Sequence, residues 1–68
     1  MDPLHVFFDL TEILDGLDAH DRDRLRRMPH FGTLQSVAAF VAEHAGEATD
    51  SQAMAERYVN DALQHEHA

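Results

Sequence analysis

The chain has no cysteine and no lysine among its 68 residues, and only three glycines. The missing cysteine removes disulfides, Cys-based zinc sites and thiol catalysis together. The three glycines, Gly16, Gly32 and Gly46, are far apart, so there is no Gly-rich phosphate loop, and Gly-x-Ser-x-Gly does not occur. Long apolar runs are missing too. The longest are Val6–Phe8 and Val37–Ala42, well short of the roughly 18–20 residues that span a bilayer. The start Met1-Asp2-Pro3 has no positive n-region and no apolar h-region, which leads us to expect a cytoplasmic protein with no membrane contact. No stretch alternates polar and apolar residues over more than four positions, so strands are not expected. There is no internal repeat and no long linker.

What remains is small and acidic. The formal net charge is −8 and the apolar fraction is 44%, ordinary for a globular chain and too high for a disordered acidic tail. Four of the five basic residues, Arg22, Arg24, Arg26 and Arg27, fall within six positions. With Asp23 that stretch carries +3, which leaves −11 on the other 62 residues. A domain this short buries only about 60% of its unfolded surface, and its own core supplies about 3–5 kcal/mol. With disulfides excluded, self-association is the first expected reinforcement and a metal the second.

Start and stop signals divide the chain into four helices, about 3–16, 19–28, 34–45 and 50–64, with a frayed tail over 65–68. Asp2-Pro3 opens the first, Asp before a Pro at N1. Leu4, Phe7, Leu10, Ile13, Leu14 and Leu17 follow at spacings of three and four. Val6 and Phe8 widen that stripe beyond what one surface helix needs. Two arrangements accommodate the width: a central helix wrapped by the others, or a second apolar face for a partner. Asp18 caps the second helix, where Asp18→Arg22 and Asp23→Arg27 stand at i,i+4 and Pro29 ends it at Met28. Thr33 caps the third, which carries Leu34, Val37, Ala38, Val41 and Ala45 on one stripe with Phe40 beside it, and Gly46 closes it. Thr49 and Gln52 fit a capping box at the start of the fourth, whose apolar face is Met54, Ala55, Tyr58, Val59, Ala62 and Leu63. The expected fold is an all-α single domain, a small bundle of three to four short helices, and the expected state is a homodimer.

Candidate chemistry is sparse. The six histidines do not form an i,i+4 pair on one helix. Asp18, His20 and Asp21 offer three ligands within four residues, but the same pattern is what a polar helix start looks like. His65 and His67, with Glu66 between them, could hold a transition metal only weakly. The carboxylates lie on predicted exposed faces, without the burial that general acid–base work needs. No enzyme activity, cofactor or metal is therefore expected. Nucleic acid is a poor partner, because the surrounding −11 repels phosphate. A helix-turn-helix reading of the last two helices fails on charge, since Ser51–Leu63 sets Glu56 and Asp61 against a lone Arg57.

The stretch Phe31-Gly32-Thr33-Leu34-Gln35-Ser36-Val37-Ala38-Ala39-Phe40-Val41 resembles the last helix of acyl and peptidyl carrier proteins. These are also small acidic four-helix bundles. The resemblance covers about 11 residues and implies the helical fold alone. The attachment serine of carriers, in Asp-Ser-Leu, is not present.

The reading that survives is a protein–protein interaction module, a regulator or inhibitor that binds a partner protein of unknown identity. Its expected contact residues are Val6 and Phe8 on the first helix, then Arg22, Leu25, Arg26, Met28 and Phe31. Two rivals belong to other classes. One is a nucleic-acid mimic whose acidic faces fill the basic groove of a DNA- or RNA-binding protein. The other is a His-based module responding to metal or pH.

Overall fold

A computed structural model describes residues 1–48 and 50–65 as four α-helices with no strand among them. They are α1 (Pro3–Gly16), α2 (Ala19–Arg26), α3 (Leu34–Glu43) and α4 (Ser51–His65). Each start has a local cause. The Asp2 carboxylate accepts from the Leu4 amide at 3.0 Å, Asp18 from Asp21 at 2.8 Å, and the Thr33 hydroxyl from Ser36 at 3.1 Å. These are N-caps that satisfy amides no helical carbonyl can reach. At α4 the Asp50 carboxylate accepts from the Ala53 amide at 2.7 Å. The capping box expected from Thr49 involves a residue outside those described, as does most of the 65–68 tail.

α1 ends where the pattern predicts, but α2 and α3 end about two residues early. α2 stops at Arg26, and the amides of Arg27 and Met28 turn back to Arg24 and Leu25, at 3.3 and 3.1 Å. Those are tight three-residue bonds, consistent with Pro29 pushing its predecessor out of the α region. α3 stops at Glu43. Gly46 then takes φ +89 and Gly32, between α2 and α3, takes φ +80, the left-handed values that glycine adopts without a Cβ penalty.

The core comprises Val6 and Leu10 of α1, Leu25 of α2, Val37 and Val41 of α3, and Met54, Ala55, Tyr58, Val59 and Ala62 of α4. α4 packs against each of the other three helices and supplies half of these residues. The central helix is therefore α4. Its side chains suit that place, because the small Ala55 and Ala62 let neighbouring backbones approach. Asp9 of α1 accepts a hydrogen bond from the Ser51 hydroxyl, which ties α1 to the first turn of α4.

On α1 the expected stripe shifts. At about 100° per residue, Val6 falls about 45° from the mean direction of Phe7, Leu10, Ile13, Leu14 and Leu17, while Leu4 and Phe8 fall about 115° and 155° away. Val6 is accordingly 0% exposed, and Leu4 and Phe8 are 47% and 62% exposed. Val6 belongs to the stripe, and Leu4 does not. Leu34, in the first turn of α3, also stands outside the core.

Candidate protein-binding surface

Two of the seven expected contact residues are corrected by burial. Val6 is fully enclosed and Leu25 is 1% exposed, so both hold the monomer together and neither is open to a partner. Leu25 is the buried residue of an eight-residue helix otherwise made of charged residues, Ala19 and His20, so burying it is what docks α2. Met28 and Phe31 are half-buried and rest against the core, whereas Phe8, Arg22 and Arg26 are exposed.

The structure brings four of the seven to one place. Arg22, Leu25, Arg26 and Phe31, with Leu14 and Gly32, line an open cleft of 410 Å³. Its floor is apolar and two guanidinium groups stand on its rim. Arg22 donates to the Leu17 carbonyl at 2.9 Å, which places a cation at the C-terminal end of α1, where the helix dipole favours one. That bond stands in place of the expected Asp18–Arg22 pair, while Asp18 caps α2. The Asp23–Arg27 pair does form, at 3.1 Å. Arg24 reaches Asp21 and the Leu63 carbonyl, both at 3.3 Å, and so links α2 to the end of α4. Arg26 has no ion-pair or hydrogen-bond partner among the described residues. Exposed pairs of this kind contribute little stability, about 0.2–1 kcal/mol each. Arg27 is therefore tied to its own helix, Arg24 to its own helix and α4, and Arg22 to the end of α1, which leaves Arg26 open beside the cleft.

Phe8 and Leu4 stand elsewhere, one turn apart on the outer edge of α1, away from the cleft-lining residues. Phe8 meets the half-buried Phe7 edge-on at 6.2 Å.

The possible chemical sites are shallow. Ligand atoms of Asp18, His20 and Asp21 lie within 4.8 Å of one another. However, Asp18 already accepts an amide hydrogen and Asp21 pairs with Arg24, and the positive end of α2 opposes a cation there. The His65–His67 arrangement involves a residue outside those described. Apart from Tyr58, no side chain with a polar group is buried among the described residues, so no described carboxylate has the desolvated setting that tunes a catalytic one. None of the described helices is long and apolar enough to cross a membrane.

Sequence reasoning missed Tyr58, which was placed on an apolar face and given no polar role. Its hydroxyl accepts from the Gly32 amide at 2.9 Å and shares a hydrogen with the Ser36 hydroxyl at 2.7 Å. Its ring stacks on Phe31 at 5.0 Å and meets Phe40 edge-on at 5.3 Å. Tyr58 thus pins the α2–α3 connection, and with it Phe31 in the cleft wall. The one available signal was a tyrosine inside an apolar stripe, since a buried hydroxyl needs a partner.

Comparison with protein-family models, with curated proteins and with solved structures finds no match for this chain.

Proposed function

We propose that this protein is a cytoplasmic interaction module, a regulator or inhibitor that acts by binding a partner protein and self-associates through the outer edge of α1. The observation that carries the reading is Phe8, 62% exposed beside the half-exposed Leu4, on a helix whose other apolar residues already supply the core. Covering such a ring removes about 100–150 Å² of apolar surface from water, and at about 25 cal/mol per Å² that stabilises an association by about 3 kcal/mol. In a twofold pair the gain occurs twice, because the same patch is used by both copies. The small core of a 68-residue chain gives independent support, since association is a common source of the missing stability. The Arg22–Arg26 cleft then serves the partner protein. Its guanidinium groups orient an acidic surface, and Leu14 and Phe31, both half-buried, supply apolar contact.

Sedimentation equilibrium tests the self-association on the unmodified chain and on F8S, at low and high salt. The expected result is a species of twice the 7.7 kDa chain mass that persists in high salt and falls to the monomer in F8S. A wild-type chain that stays monomeric up to about 1 mM overturns the self-association. The outer edge of α1 would then belong to a different protein.

A further inference from the structure

Phe31 lines a second cleft, of 380 Å³, whose character is the reverse of the first. Met28, Phe31, Phe40 and Tyr58 provide its apolar lining, and Glu43 and Asp61 stand at its mouth, one from the end of α3 and one from α4. Both carboxylates are exposed. Glu43 forms no ion pair among the described residues, and the charged neighbour of Asp61 is His65 at 3.8 Å, a long contact that requires the imidazolium. No arginine lines this cleft, and its other ionisable groups are His30 and His65.

Three aromatic rings gathered beside two carboxylates suit a cation with an apolar stem. Tyr58 is packed between Phe31 and Phe40, and Phe40 also lies against His44 at 4.1 Å. The ring surface left to a ligand therefore belongs to the half-buried Phe31 and Phe40. Such surface attracts a guanidinium, for which Arg is the most frequent natural partner. A carboxylate accepts its parallel N–H groups in a bidentate pair, and the methylene stem packs on an apolar wall. The Tyr58 hydroxyl is already engaged with Gly32 and Ser36, so it fixes the wall in place. The acidic excess of the chain adds a long-range attraction for basic segments.

We propose that this cleft receives an arginine side chain from a basic segment of a partner protein, with Glu43 and Asp61 holding the guanidinium and Phe31 and Phe40 covering its stem. The proposal goes beyond the α1 edge, because neither Leu4 nor Phe8 lines the cleft. Of the chain's own five arginines, Arg22, Arg24, Arg27 and Arg57 are already engaged and Arg26 has no partner among the described residues. A second copy thus offers a single open arginine rather than a basic segment. This favours an arginine from a different protein over one from a second copy.

The test uses the full chain, ¹⁵N-labelled, with a blocked Leu-Arg-Leu-Arg peptide as probe. The same peptide with citrulline in place of arginine is the uncharged control. Expected are amide shifts centred on Phe31, Phe40, Glu43, Tyr58 and Asp61, and binding at least about fivefold weaker for E43Q/D61N than for wild type. A matched loss of charge on α1, E12Q/D15N, should leave the affinity unchanged. The proposal is overturned by any of four results. These are no shifts at millimolar peptide, equal binding of the citrulline peptide, equal weakening by E12Q/D15N, or shifts centred away from the cleft. Self-association that is lost in R26A, with no peptide binding, would assign the cleft to a second copy and overturn the proposal as well.

Discussion

Removing one oxygen atom, in Y58F, should lower stability by about 2 kcal/mol, out of proportion to its size. The ring is 6% exposed and packed between Phe31 and Phe40, and phenylalanine keeps that packing. What disappears is the acceptor for the Gly32 amide and the partner of the Ser36 hydroxyl. Each such hydrogen bond has a net worth of about 0.5–1.5 kcal/mol, and a donor left dry costs toward the upper end. For a domain of this size, about 2 kcal/mol corresponds to a fall in Tm of roughly 8–16 °C. Thermal melts followed by circular dichroism at 222 nm measure it. S36A should cost about half as much, because the Gly32 bond survives. The double variant should be little worse than Y58F, since the two single changes remove the same Ser36–Tyr58 interaction. A Y58F melt within about 2 °C of wild type, or strict additivity in the double variant, would refute the claim that this hydroxyl pins the connection.

Further outcomes follow from packing and backbone geometry. L25A removes the anchor of α2 and should cost about 2–4 kcal/mol. That is comparable to the whole core contribution, so the far-ultraviolet spectrum should show substantial unfolding at 25 °C; a folded variant with a near-native Tm would contradict the burial. G32A and G16A should move stability in opposite directions. A Cβ meets nothing within 4 Å at either site, so the difference lies in φ. G32A has to hold φ +80 and loses about 1–2 kcal/mol. G16A sits in helical geometry and gains about 0.5 kcal/mol. Denaturant titration of the pair checks the signs.

The parts of this structure visible in the sequence are those governed by neighbours three or four residues away. Asp2, Asp18 and Thr33 cap the amides their positions predict. Pro29 ends α2, and a left-handed glycine follows α3. The all-helical class comes from the same local signals. Side-chain destinations were harder, because they depend on packing between helices. Drawing the α1 stripe through Leu4 rather than Val6 satisfies the same three-and-four spacing, and only the averaged angle favours Val6. Leu25 looked like an exposed contact on a charged helix until α2 docked on α4. Arg22 had two available partners, and it bonds the Leu17 carbonyl rather than Asp18. The arginine-rimmed cleft was half legible: Arg22, Leu25, Arg26 and Phe31 were named, but Leu14 enters from α1, 17 residues before Phe31. Tyr58 meets Gly32 and Ser36 from 26 and 22 residues away, a separation at which no local pattern operates.

Phe31 is a wall common to two clefts of opposite rim charge, so their occupancies are thermodynamically linked to the extent that a ligand in either one shifts this ring. A ligand that draws the ring toward one side changes the room on the other. Whatever factor the first ligand imposes on the second, the second imposes equally on the first. Under the two proposals above, a single aromatic side chain, held by a tyrosine on the central helix, would be the point at which an acidic surface and a basic segment bear on each other.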